Sequence, residues 1–133
     1  MYRKMGQQQL AEEDFHWVLR IDKQIRDGSC RQYALFFLGR NEDALNWMNE
    51  LINLQPNNPG HYYDKACLCC RMGLFNDAID AINNMFKKGY RKFAHLDADD
   101  DIDPIKNMPE YVSLYNKYHD IYVKELEQLA DIL

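Results

Sequence analysis

Four cysteines (Cys30, Cys67, Cys69, Cys70) and four histidines (His16, His61, His95, His119) are the side chains here best suited to nucleophilic, redox or metal chemistry. Three of the thiols fall within four residues, a density that invites zinc or a disulfide. The segment reads as helix, however. On a helix Cys69 points about 200° away from Cys67, and Cys70 about 60°. Three thiols so arranged cannot converge on one ion, and a disulfide framework would spread its cysteines along the chain. The expectation is reduced, structural thiols that act as small apolar groups, with no metal. The sequence contains no His-Glu-x-x-His, no Gly-x-Ser-x-Gly and no glycine-rich phosphate loop. Pairing Cys67 or Cys70 with His61, at helical separations of six and nine residues, does not make a thiol–imidazole couple. A non-enzymatic chain with no catalytic residue and no cofactor is expected.

The acidic run Asp97, Asp99, Asp100, Asp101 and Asp103 superficially fits a calcium loop. Such a loop needs Gly at its sixth position and Glu at its twelfth. Counted from Asp97 these are Ile102 and Met108. The run is instead expected to cap a helix through Asp103 ahead of Pro104, and to pair with Lys87, Lys88, Arg91 and Lys92. The formal charge of -5 and pI of about 5.3 disfavour nucleic acid as the main partner.

These residues must be positioned by a folded chain. Apolar residues make up 47% of its 133 residues, enough for one domain that buries about 68% of its unfolded surface. No run of about 18 apolar residues exists to cross a membrane. The first residues lack the apolar core of a leader. Cytoplasm is the default expectation.

Punctuation along the chain is regular. Gly6, Gly39 and Gly73 stand 33 and 34 residues apart, each followed five residues on by Ala11, Ala44 and Ala78. A period in that range marks stacked helix–turn–helix units. Ala11, Phe15, Val18 and Leu19 have helical spacing, and Asp27-Gly28-Ser29 breaks the chain. Cys30, Ala34, Phe37 and Leu38 mark one face of the next helix. Gly39 ends it, and Asn41 or Arg40 opens a helix carrying Ala44, Leu45, Met48, Leu51 and Ile52. Residues 55–60, with two prolines and a glycine, are a strong stop. The plan then repeats, with Tyr62, Ala66, Cys69 and Gly73 on one helix and Phe75, Ala78, Ile79, Ile82 and Met85 on its partner. Lys87 and Lys88 suit the last turn, and Gly89 suits the cap. Ile105 to Met108 reads as one helical turn. Pro109 opens a final helix to about Ala130. Trp17 and Trp47 are expected in inter-helix packing.

Two stretches, Leu38-Gly39-Arg40-Asn41-Glu42-Asp43-Ala44-Leu45 and Met72-Gly73-Leu74-Phe75-Asn76-Asp77-Ala78-Ile79, resemble the tetratricopeptide repeat. So do Pro56-Asn57-Asn58 and Tyr62-Tyr63-Asp64-Lys65-Ala66-Cys67. The tail from Gly89-Tyr90 through Asp101-Ile102-Asp103-Pro104-Ile105 to Pro109-Glu110-Tyr111 resembles the closing segment of many bacterial proteins of that family. The resemblance implies an all-α superhelix of about two and a half repeats. Its parts would be a half repeat at 7–22, repeats at 25–58 and 59–92, an acidic connecting loop at 93–108 and a capping helix at 109–131. Gly39, Ala44, Ala66, Gly73 and Ala78 would pack the repeats. Arg31 and Gln32 depart from the pattern, and Tyr90 stands where a proline often ends a repeat. The first helix of the first repeat is almost missing, so the chain reads as the C-terminal piece of a longer protein.

The family is a binding scaffold, and its concave surface is lined by the first helix of each repeat. By that correspondence the groove comprises Arg26, Ser29, Tyr33, Phe36, Phe37, Tyr63, Cys67, Cys70 and Arg71, an aromatic surface with arginines. The lysine and asparagine clamp that one subclass uses for C-terminal carboxylates is absent. A protein or peptide is the implied partner. The alternative is a structural module that packs on an upstream domain or forms a homodimer. On the final helix Tyr111, Tyr115, Tyr118, Tyr122, Leu129 and Leu133 lie near one stripe, which Leu114, Ile121 and Leu126 widen. They are expected to cap the last repeat, with length to spare for a second copy or another domain.

Overall fold

The computed structural model describes residues 31–132, and every regular element among them is helical. The order is α1 (Arg31–Phe37), α2 (Asn41–Leu54), α3 (Pro59–Arg71), α4 (Phe75–Lys87), α5 (Phe93–Ala98), a 3-10 turn (Asp100–Ile102), α6 (Asp103–Lys106) and α7 (Pro109–Ile132). The expected all-α class is therefore observed. The half repeat at 7–22, and with it Trp17 and His16, lies outside the described residues. The chain divides into two compact units at Leu54 and Gln55.

In the first unit α1 packs against α2. Ala34 and Leu35 face Ala44, Met48 and Leu51 as the buried set, with Gln32 also buried. The turn between the helices is made possible by Gly39. At φ 79° it enters the left-handed region that L side chains avoid. Its N–H donates to the Phe36 carbonyl, and the Arg40 N–H reaches back to Leu35, so two carbonyls left over at the helix end are satisfied.

The second unit has the same local chemistry at its α3–α4 turn. Gly73 has φ 75°, its N–H donates to the Cys70 carbonyl, and the Leu74 N–H donates to that of Cys69. Asn58 caps α3 by accepting from the Gly60 N–H at 2.9 Å, and Pro59 occupies the first turn. Ala66 and Ala78 are fully buried, and their lack of bulk lets α3 and α4 approach. Ile82, Met85 and Phe86 complete the apolar face of α4. Phe75, expected on that face, is 40% exposed, because it is the first residue of α4 and projects beyond the crossing.

Past Gly89 the sequence expectation is corrected. The span 93–108 is not a connecting loop: it folds as α5, the 3-10 turn and α6, which bury Phe93, Leu96, Ile102 and Ile105. Its Asp-rich composition masked four well-spaced apolar residues. The cap is also reassigned. Asp103 is the first residue of α6, whose cap position is Ile102 without a side-chain bond, while Asp99 accepts from the Asp101 N–H at 2.9 Å.

Phe86 joins these layers. Its ring stacks on Tyr118 of α7 at 4.9 Å and lies 5.7 Å from Phe93 of α5, and it is 1% exposed. Stacked aromatic pairs add about 0.5–1.5 kcal/mol each beyond the area they bury. Phe86→Ala is expected to destabilise the chain by about 3–5 kcal/mol. Urea titration followed by circular dichroism checks this, and a loss under about 1 kcal/mol would mean that α7 is held elsewhere.

Candidate functional site

The residues assigned to a concave groove divide between the two units. Tyr33, Phe36 and Phe37 lie on α1, each half-buried, with the Phe36 and Phe37 rings edge to face at 5.4 Å. Arg26 and Ser29 lie outside the described residues. On α3 the expectation of an open aromatic surface is corrected: Tyr63, Cys67 and Cys70 are all buried. The segment after α4 meets this face. Tyr63 stacks on Tyr90 with centroids 5.5 Å apart and planes 3° apart, and its ring also touches His95. Among the four α3 groove positions Arg71 alone stays exposed, with its Nη2 donating to Asp101 Oδ1 at 2.9 Å.

That ion pair belongs to a cluster no spacing argument could find. Cys67 Sγ and carboxylate oxygens of Asp99 and Asp101 lie within 4.8 Å of one another. The thiol comes from α3, and the carboxylates come from the 3-10 turn and the residue that caps it, about 30 residues later in the chain. Thiolate and carboxylate are donors that suit zinc. Here the positive charge is already provided by Arg71, while Asp99 uses one oxygen as a cap and turns the other toward His95 Nε2 at 3.8 Å. The cluster thus fastens the acidic turn to α3. The partners of the acidic run are Arg71, His95 and Lys106, rather than the expected Lys87, Lys88, Arg91 and Lys92. Lys88 donates to Asn57, and Arg91 pairs with Glu125.

The buried thiols are poor nucleophiles. Burial pushes Cys69 up to about 11 and Cys70 up to about 12, the latter raised further by neighbouring Cys69 and Asp101. A protonated thiol neither attacks nor ligates readily. Burial likewise lifts Tyr90 to about 12, with Cys67 and Asp64 adding to the rise. Tyr111 and Tyr115 are also raised by burial, and Tyr115 donates to Asp97 Oδ2 at 3.1 Å. Beside them a shallow cleft of about 210 Å³ is lined by Asp97, Lys106, Tyr111, Val112, Tyr115 and Asn116.

The four tyrosines of the final helix turn inward, and the interface they could also have offered is not open. Tyr111 and Tyr118 are buried, and Tyr115 and Tyr122 pack on Phe93 at 5.2 and 5.4 Å. His119 joins them, edge to face with Phe93 at 5.0 Å. Arg91 lies over the Tyr118 ring at 5.5 Å and reaches Glu125 at 3.4 Å. Here the inward face changes environment. At 100° per residue Leu126 and Leu129 continue the line of Tyr111, Tyr115, Tyr118 and Tyr122, yet they are 49% and 58% exposed. Val123 and Ile132 flank them at 40% and 82%. Half of the large apolar side chains exposed among the described residues fall in these ten positions. Isolated exposed apolar residues are ordinary, whereas a contiguous set is the mark of an interaction surface. The sequence stripe contained Leu126 and Leu129 but gave no sign of where its cover ends.

No protein-family model matches the chain, and neither the curated proteins nor the solved structures contain a match to it.

Asp64, half-buried on α3, provides a pH signature of this packing. Burial raises its carboxyl to about 6 from 3.8. Between those values the unfolded chain has released the proton and the folded chain retains it, so stability falls as pH rises from about 4 to 6 and then levels. The expected difference is about 1–2 kcal/mol. Asp64→Asn should remove this component, which parallel denaturant titrations at pH 4 and pH 7 will measure. An unchanged pH dependence in the variant would refute the assignment.

Proposed function

We propose that this chain is a non-catalytic protein-binding module of the tetratricopeptide type. Its contact surface is the projecting end of α7. One observation carries the reading: the face of α7 that is sealed against Phe86 and Phe93 continues, unsealed, through Leu126 and Leu129. With 24 residues, α7 is about 36 Å long, against about 20 Å for the 13-residue helices α3 and α4. A helix that served only to cap this unit could stop near Tyr122. Apart from the Arg91–Glu125 pair, the remaining turns expose apolar surface that a partner would remove from water, at about 25 cal/mol per Å².

Support for the repeat assignment comes from the two left-handed glycine turns, 34 residues apart, each with the same pair of backbone bonds. Support for a non-catalytic role comes from the burial that keeps Cys69 and Cys70 protonated. The α3 part of the groove is the weaker candidate surface, because Tyr63, Cys67 and Cys70 are covered.

Site-specific photocrosslinking in the cells that make the protein separates the surfaces. A benzophenone amino acid in place of Leu129 is expected to give a discrete protein adduct, and one in place of Glu127, on the opposite side of the helix, is not. Adducts formed at Phe36 and absent at Leu129 would return the binding surface to the groove. Absence of adducts at both positions would contradict the binding-module reading itself.

A further inference from the structure

The three thiols of α3 do not converge on one ion, but Cys67 meets donors of other kinds from later in the chain. Its Sγ and one carboxylate oxygen each of Asp99 and Asp101 lie within 4.8 Å of one another. His95, four residues before Asp99, adds a fourth donor, with its Nε2 3.8 Å from Asp99 Oδ2. Thiolate, imidazole and carboxylate are the donor types of zinc sites. The four residues come from α3, from α5 and from the 3-10 turn with its cap, so the set exists only in the folded chain. Its exposure is graded. Cys67 is 1% exposed, whereas the side chains of Asp99, Asp101 and His95 are 16%, 38% and 58% exposed. An ion therefore has a path from solvent, past the imidazole, to the thiol.

The polar capacity of this set is only partly used. Asp99 Oδ1 accepts from the Asp101 N–H, and Asp101 Oδ1 accepts from Arg71. The second oxygen of each carboxylate is left without a hydrogen bond, and one guanidinium stands against two carboxylates. A separate feature adjoins the set. Tyr63 lies one turn before Cys67 on α3, with its ring against His95 and its hydroxyl buried without a hydrogen-bond partner. Leaving a buried hydroxyl unbonded is costly, and a hydrated ion beside the same imidazole offers it a partner.

We infer that this set is a structural site for a divalent cation of the zinc class. Cys67, Asp99 and Asp101 are its ligands, and His95 closes it. Donors around a tetrahedral zinc ion stand about 3.3–3.7 Å apart. The set must therefore contract by about 1 Å, through rotation of Asp101 and His95, its most exposed members. Binding releases the Cys67 proton to solvent. Without the cation the thiol packs as a small apolar group, and Arg71 supplies the positive charge at Asp101. With it, α5 and the 3-10 turn are tied to α3 by metal–ligand bonds in place of one ion pair. Arg71 and the cation compete for the same carboxylate.

Cobalt(II) titration of the whole chain, reduced and freed of metal by a chelator, tests this. A near-ultraviolet thiolate-to-cobalt band is expected, saturating at one equivalent and lost when zinc is added. Cys67→Ala should abolish the band, and Cys69→Ala should keep it. Asp99→Asn should weaken cobalt binding roughly tenfold or more. Arg71→Gln should tighten binding, which a purely structural ion pair would not do. Absence of the band in excess cobalt overturns the inference, as does a band that survives Cys67→Ala. Weaker binding by Arg71→Gln overturns the placement of the ion on Asp101. Circular dichroism melts check that each variant folds. If Cys67→Ala does not, Asp99→Asn decides, and an unchanged affinity in it overturns the site.

Discussion

The second unit depends on one aromatic contact. Phe86 stands near the end of α4, where a left-handed glycine turns the chain out of the helical pair, and its ring meets Tyr118 of α7 and Phe93 of α5. Without that ring α5 and α7 would lose their common neighbour on α4. Around it Tyr115, His119 and Tyr122 gather on Phe93, and Arg91 lies across Tyr118 while holding Glu125. On α7 Tyr115, Tyr118, His119, Tyr122 and Glu125 are tied to this cluster. Beyond Glu125 the helix is extended by its own backbone bonds, with its apolar face unspent. The division between sealed and open surface on α7 is thus set by how far the Phe86–Phe93 cluster reaches.

Packing also sets the state of the thiols in the second unit. Cys67, Cys69 and Cys70 serve as small apolar groups on a helix pressed against its neighbours, and burial keeps Cys69 and Cys70 protonated. Asp99 and Asp101 are committed to a cap and an arginine. Polar groups at this junction hold the acidic turn against α3, and that attachment closes the face where a groove was expected.

Much of the helical layout was legible in the sequence. Gly39, Gly73 and Gly89 announced three turns because only glycine enters the left-handed region at low cost. Ala44, Ala66 and Ala78 announced close helix crossings because larger residues would not fit. Pro109 marked the start of α7. The segment from Phe93 to Ile102 was not legible as helix, since its aspartates suggested a solvated loop and its apolar residues are too few for a periodic signal. Its cover over Tyr63, Cys67 and Cys70 was hidden for a different reason: it is a contact between residues about 30 positions apart, and local periodicity carries no information about such contacts. The apolar stripe of α7 was visible, but not the point at which Phe93 and Arg91 stop covering it.

Amide hydrogen exchange along α7 in dilute solution tests the central claim most directly, because it reports separately on the two halves of one helix. The account predicts strong protection from Tyr111 to Tyr122, approaching that of the α3–α4 core. From Val123 to Ile132 it predicts rapid exchange. Uniform protection of the whole helix at high dilution would contradict it, because the far half would then already be covered within a single chain.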